Sequence, residues 1–311
     1  MPGLLDVILG YDCNLACSYC TITPAMRARA LSRDQVLAEL RRGRSDGYDA
    51  LSLTGGEPTI RSDLLGLVRA ARALGYQDVK LQSNGLLLGV PGNLERLVGA
   101  GITRLHISIH THRADRYDSM VRRADSFPLM VRGLEAGVAA GIPLVAEVIL
   151  ETSTYRDLPD ALRWLHARGV RAADLWFVSL TDGNADHPES MPRMTEVVPS
   201  MQEGFAFARA HGMQVRSLHV PRCLLGDDHV HAHDPGAARV RVVTPEASFE
   251  LRHSRLTGQL HVPACEGCAF EARCPGVRED YLRRYGDSEI AAARGRPPSR
   301  TGTASRVIPL L

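Results

Sequence analysis

Six short apolar runs punctuate the first 180 residues: LLDVILG (4–10), ALSLTG (50–55), VKLQSN (79–84), RLHISIH (104–110), PLVAEVIL (143–150) and DLWFVSL (174–180). Their length and their Val, Ile and Leu content predict strands covered on both faces. Between and after them, apolar positions return every three or four residues, which predicts helices over 32–44, 61–75, 93–101, 127–141, 155–169 and 195–212. Ser32 stands at an N-cap position, and Gly75 where a helix ends in a left-handed residue. Strands alternating with helices at this interval need a parallel sheet with right-handed crossovers. Eight such units close a barrel. Six are present, so the predicted fold is α/β, a partial (β/α)6 TIM-type barrel with a small C-terminal extension.

The rhythm stops after residue 213. Residues 214–270 are rich in His, Asp, Gly and Pro, with strand-like pieces at 238–243 and 258–262 and a short helix predicted over 277–286. The stretch 294–306 has the composition of a disordered tail. The expected division is a core over 1–212, a second segment over 213–290 and a tail over 291–311.

Composition narrows the function classes. Hydrophobic residues make up 44% of the 311, enough for a substantial core. With 37 basic and 35 acidic residues the net charge is +2, which gives no electrostatic footprint for nucleic acid. No apolar run approaches the ~18 residues of a membrane span, and the N-terminus lacks a basic and then apolar targeting pattern. The expectation is a cytoplasmic protein with no membrane or nucleic-acid partner. In a reducing compartment, clustered thiols read as metal ligands or catalysts before disulfides.

The seven cysteines fall into two groups: Cys13, Cys17 and Cys20, then Cys223, Cys265, Cys268 and Cys274. The first three share one loop after the first strand, spaced C-x3-C-x2-C. Thiolates select zinc, copper(I) or iron–sulfur clusters. A cubane needs one ligand per iron, so three local thiols imply a distant fourth ligand or an iron left open.

CNLACSYC (13–20), with an aromatic Tyr19 before the last Cys, resembles the cluster loop of the radical S-adenosylmethionine (radical SAM) superfamily. LTGGEPTIRSDL (53–64) resembles that family's second signature. The resemblance spans about residues 4–212. It implies that S-adenosylmethionine chelates the fourth iron of a [4Fe-4S] cluster. Reductive cleavage then yields a 5′-deoxyadenosyl radical that abstracts hydrogen from substrate. It implies that Gly55, Gly56, Glu57 and Pro58 present backbone carbonyls to the methionine amino group. Glycines allow that close approach. It further implies ribose and carboxylate contacts from Ser83, Asn84 and Ser108, with Arg122 as a carboxylate-binding candidate. A one-electron reductant such as flavodoxin or ferredoxin is the implied partner.

The second group, C-x2-C-x5-C over 265–274 plus Cys223, has enough thiols for a closed cubane or a zinc site. Three of them would also hold an open cluster with Cys223 unliganded. The run resembles the core of the auxiliary-cluster segment called SPASM, or its shorter twitch form. No Cys follows Cys274, so one auxiliary [4Fe-4S] cluster is what the count permits. GDDHVHAHD (226–234) would set His229, His231 and His233 on one face as metal ligands if it were a strand, but it reads as a polar loop, with Asp227 and Asp228 as possible holders of a cationic substrate. The resulting expectation is a radical SAM enzyme. Its reaction would be net oxidation or epimerisation of a small metabolite such as an amino sugar. Maturation of a ribosomal peptide is the alternative, and a non-catalytic electron-transfer or sensor protein the third reading.

Overall fold

The computed structural model describes residues 3–234, 236–251 and 259–293. The expected tail, from 294 on, lies outside the described residues, as does Gly258 at the start of the predicted 258–262 strand. β1 (Gly3–Ile8), β2 (Ala50–Thr54), β3 (Asp78–Ser83), β4 (Arg104–Ser108), β5 (Leu144–Leu150) and β6 (Ala172–Phe177) pair in chain order and all in parallel. α1 (Arg33–Ser45), α2 (Leu64–Ala73), α3 (Asn93–Ala100), α4 (Ala114–Val121), α5 (Phe127–Ala139) and α6 (Leu158–Ala167) provide the crossovers, and α7 (Met194–Ala210) follows β6. The parallel α/β core expected from the sequence is therefore present.

Three further strands extend it. β7 (Gln214–Leu218) lies parallel to β6. β8 (Arg239–Val243) lies parallel to β1, and β9 (Ser248–Glu250) antiparallel to β8. The sheet runs β7-β6-β5-β4-β3-β2-β1-β8-β9 and ends at β7 and β9, so it forms no closed barrel. The chain thus returns past residue 212 to cover the β1 edge. The remaining described elements are α8 (Arg222–Leu225), β10 (Gln259–Leu260), β11 (Val277–Arg278), α9 (Glu279–Tyr285) and α10 (Ser288–Ala293), with β10 and β11 paired antiparallel.

Local sequence explains several boundaries. Ser32 and Gln35 form a reciprocal capping box at the start of α1. Gly75, with φ +94°, follows the C-cap of α2. α2 begins at Leu64 rather than 61 because Arg61 is used elsewhere. Its guanidinium binds Asp63 and reaches the carbonyls of Leu9 and Leu31, both 3.0 Å away.

The two faces of the sheet differ. Leu5 and Val7, Leu51 and Leu53, Val79 and Leu81, and Leu105 and Ile107 are buried in the core shared with the helices. At alternate positions, polar side chains bond one another across neighbouring strands. Glu147 accepts from Gln82 at 2.7 Å and bonds His106 Nδ1 at 2.7 Å; Arg216 grips Asp174 through two bonds of 2.7 and 2.6 Å. Burial holds His106 neutral, so its contact with Glu147 is a hydrogen bond rather than an ion pair. These strands are not apolar on both faces, which the charged residues within the runs 79–84, 104–110, 143–150 and 174–180 already signal.

Candidate functional site

Residues 10–30 form a loop closed at its base. Tyr11 N donates to Arg29 O (3.1 Å) and Leu31 N to Leu9 O (3.0 Å). Arg27 stiffens it from within, donating to Cys13 O (3.0 Å) and Leu15 O (2.7 Å). Two other parts of the chain hold its far side. Ser18 N donates to Met120 O (2.8 Å) at the end of α4, and Gly183 N donates to Thr21 O (2.8 Å). Cys13, Cys17 and Cys20 are half-buried free thiols, near enough for Cys17 to feel both others. Burial pushes the Cys17 thiol up to about 12. Backbone N–H groups of Leu15 and Ile22 point at Cys13 Sγ and Cys20 Sγ, each at 3.4 Å. Three converging soft donors, with N–H groups aimed at two of the sulfurs, fit a thiolate-ligated cluster.

The second signature lies against this loop. Gly56 N donates to Gly10 O and Glu57 N to Asp12 O, both at 2.9 Å. A Cβ on Gly56 would stand 2.0 Å from Asp12 O, and one on Gly55 2.3 Å from Gly10 O. The glycines are thus required for contact between the two signature loops. Pro58 is buried at the start of the turn Pro58–Ile60.

The Glu57 carboxylate points inward. It accepts from Thr59 N (3.0 Å), Thr59 Oγ1 (2.5 Å), Ser83 Oγ (2.9 Å) and Asn84 N (2.7 Å). Burial pushes its carboxyl up, and these four bonds oppose that. Ser83 is buried, its hydroxyl spent on Glu57 and on Gly85 N. Asn84 faces the cluster loop, donating to Asn14 Oδ1 at 2.7 Å with its amide nitrogen 4.0 Å from Cys13 Sγ. Ser108 ends β4, in register with Glu147. Arg122 is exposed at the end of α4, with φ +53°. Its neighbours Val121 and Arg123 bond the cluster loop through Ala16 N and Asn14 O.

Sequence reasoning missed three contributors. Asn14 lies inside the quoted loop, and His110, whose Nε2 bonds Tyr19 Oη of that loop, ends the quoted fourth run, so both were within sight. Gly183, which meets the loop through backbone alone, carries no local signal.

The second thiol group also converges. Cys223, Cys265, Cys268 and Cys274 line one small cavity together with His261 and Phe270. Cys223 feels the charge of the other three, and burial pushes its thiol up to about 12. His261 Nε2 bonds Cys274 O at 2.8 Å. Four soft donors around one cavity fit a closed cubane or tetrahedral zinc.

The region after Cys274 is clamped to the loop after β6 and the start of α7. Buried Asp280 pairs with Arg278 and accepts from Leu180 N at 2.8 Å; Tyr281 Oη accepts from Met194 N at 3.0 Å. The histidines of 226–234 do not form a cluster. His229 bonds Gly226 O, His231 bonds Val215 O, and Asp228 is paired with Arg209. Among the described residues, no helix is long and apolar enough to cross a membrane.

The sequence profile of the Radical SAM superfamily matches residues 7–165. A probable GTP 3′,8-cyclase of Saccharolobus solfataricus is 32% identical over 139 residues, 44% of this chain and 44% of that protein. The chain therefore spans less than half the length of that relative. In fold, native anSMEcpe with bound AdoMet gives a TM-score of 0.67 at 14% identity, covering 94% of this chain and 95% of that one. Streptococcus suis SuiB bound to its precursor peptide SuiA gives 0.67 at 11% identity, covering 91% and 73%. The matched profile covers half of the chain, including its first thiol loop and the glycine signature beside it, and this chain belongs to the radical SAM superfamily.

Proposed function

We propose that the protein is a radical SAM enzyme with one auxiliary [4Fe-4S] cluster, catalysing net oxidation of its substrate. The observation that carries this reading is the pair of thiol sets, three on the loop beside the glycine signature and four around one cavity. Cys13, Cys17 and Cys20 would hold the first cluster, leaving one iron for S-adenosylmethionine. When bound, the pair supplies one-electron cleavage of the sulfonium and hydrogen abstraction.

The chain's own residues orient and enclose. Gly55 and Gly56 bring the second signature against the cluster loop, and Pro58 has no amide hydrogen to compete for carbonyl acceptors. Ser83 acts through Glu57, and Asn84 faces the cluster loop. Ser108 and Arg122 remain the candidates for ribose and carboxylate. Cys223, Cys265, Cys268 and Cys274 would hold the auxiliary cluster as acceptor for a substrate electron. The functional division is a core over 1–212 and an auxiliary segment over 213–290, even though β7, β8 and β9 join the core sheet. A flavodoxin or ferredoxin would supply the reducing electron.

For the substrate, a small metabolite is the first reading. The proteins named above give the amino-sugar expectation no support. A peptide substrate is the second reading, favoured by the fold match to a peptide-bound structure over 91% of this chain. Anaerobic reconstitution tests the whole proposal. The wild type should bind about eight irons per chain, four for each closed cubane. It should also release 5′-deoxyadenosine from S-adenosylmethionine under reductant. About four irons with one zinc would remove the auxiliary acceptor. Retained cleavage in a C13A/C17A/C20A variant would remove the assignment of these three thiols to the S-adenosylmethionine-binding cluster. Assays with GTP, peptides and small metabolites then separate the substrate classes.

A further inference from the structure

Three consecutive carbonyls of the first thiol loop are capped by guanidinium groups. Arg27 Nη1 donates to Cys13 O at 3.0 Å and Arg27 Nη2 to Leu15 O at 2.7 Å. Between them, Asn14 O accepts from Arg123 Nη1 at 3.3 Å. A turn after Cys20 carries Arg27 back to this position: Met26 N donates to Thr23 O at 3.0 Å and Arg27 N to Pro24 O at 3.2 Å. Asn14 C=O and Leu15 N–H belong to one trans peptide unit, so they point in opposite directions. The carbonyl end meets Arg123, and the N–H end points at Cys13 Sγ, 3.4 Å away.

Arg27 is half-buried, and among the described residues it forms no ion pair. Carbonyls satisfy its N–H groups but carry no charge to oppose it, and a cation drawn from water is costly without one. The carboxylate beside Cys13 in the chain, Asp12, is exposed and accepts from Cys13 N at 2.9 Å. The thiols of the loop supply the opposing charge when ionised as cluster ligands.

We infer that Arg27 and Arg123 raise the reduction potential of the first cluster, Arg27 as a fixed charge on the loop and Arg123 through the Asn14–Leu15 peptide. One-electron reduction adds negative charge to the cluster, and a cation held beside it favours the reduced form. An N–H directed at a ligating sulfur acts in the same sense. A guanidinium on the carbonyl of that peptide strengthens its N–H as a donor. Arg123 is exposed, so its share is screened by salt, and half-buried Arg27 is screened less. This inference rests on assigning Cys13, Cys17 and Cys20 to a cluster.

The test is an EPR-monitored redox titration of the reconstituted enzyme, following the signal that changes on adding S-adenosylmethionine. Arg27→Gln removes the charge and should lower the equilibrium constant for one-electron reduction about tenfold, a midpoint about 59 mV more negative. Arg27→Lys keeps the charge but not the fork that spans two carbonyls, and should stay within about threefold of the wild type. Arg123→Gln should lower the constant about threefold at low salt. That shift should shrink as salt is raised, while the Arg27→Gln shift persists. A wild-type midpoint in R27Q at full iron content overturns the inference. So does an equal shift in R27K and R27Q, which would assign the effect to loop geometry rather than charge. If R27Q does not hold its iron, R123Q decides, and a wild-type midpoint there at low salt overturns the inference. Failure of the underlying assignment looks different, because a C13A/C17A/C20A variant would then retain the responsive signal.

Discussion

Replacing Glu57 with Gln tests what the second signature does. Oε1 accepts three of the four bonds, from Thr59 N, Thr59 Oγ1 and Ser83 Oγ, while Oε2 accepts only from Asn84 N at 2.7 Å. Gln fits the same space and keeps one oxygen. In its best orientation that oxygen serves the three donors, and the amide nitrogen then faces the N–H of Asn84. One buried donor loses its acceptor, which costs about 1–3 kcal/mol. The three retained bonds lose their charge assistance, which roughly halves each. The unpaired Asn84 N–H and the weakened Ser83 bond put about 3 kcal/mol on the end of β3 and the turn after it, and the two weakened Thr59 bonds fall on the turn after β2. At 1.36 kcal/mol per tenfold, amide exchange over residues 82–86 should rise about a hundredfold when opening is local. The assay is hydrogen exchange by mass spectrometry without S-adenosylmethionine, paired with measurement of S-adenosylmethionine affinity. Both protection and affinity should fall, since Glu57 acts by fixing the loop. Unchanged protection together with a lost affinity would show the carboxylate acting directly on the ligand and would overturn its role in fixing the loop.

Other perturbations separate positioning from ligation. Gly56→Ala drives a methyl into Asp12 O at 2.0 Å, so iron content at the first loop should drop even without S-adenosylmethionine. Normal iron with weakened S-adenosylmethionine binding would contradict the observed packing. Asp280→Asn leaves Arg278 buried beside a neutral partner, a local loss of about 3–5 kcal/mol if the pair is broken. Protease cleavage after residue 259 should then accelerate and auxiliary iron should be lost first, and an unchanged digestion pattern would count against the clamp. Burial raises Glu147 from 4.5 to about 7, so the folded state retains its proton over a range where the unfolded chain has released it. Stability is therefore lost as pH rises from about 4.5 to about 7, by on the order of 3 kcal/mol. Glu147→Gln should gain on the wild type across that window in urea titrations, and a pH-independent difference would refute the shift.

What was legible in the sequence is what depends on local pattern. The six runs became β1 to β6 because each is a short apolar segment between turn residues, and Ser32 and Gly75 did what their side chains dictate. α4 was passed over because RADRYDSMV is polar on its exposed face and only Tyr117, Met120 and Val121 are buried. β7, QVRSL, is a short edge strand whose Arg216 joins the polar face of the sheet through Asp174. The pairing of β8 with β1 joins residues more than 230 apart, which no local pattern specifies. At the site, the thiols and glycines were visible as residue types. The direction of the Glu57 side chain was not, since both an inward strap and a ligand contact satisfy the same letters.

The same distinction explains how the two thiol groups are connected. The cluster loop is held by main-chain bonds from Val121, Met120, Gly183 and Gly56, none of which requires a particular side chain at its acceptor. Gly183 is restricted by space instead, because a Cβ there would lie 2.8 Å from Cys20 O. Three residues earlier, Leu180 N is bonded to Asp280, which is six residues past Cys274. A run of short contacts thus links Cys20, the loop after β6 and the segment after the last cysteine. Burial of the Arg278–Asp280 pair makes the final link costly to open, because separating the partners leaves a charge without compensation. The loop after β6 therefore acts as a spacer between the two thiol sets.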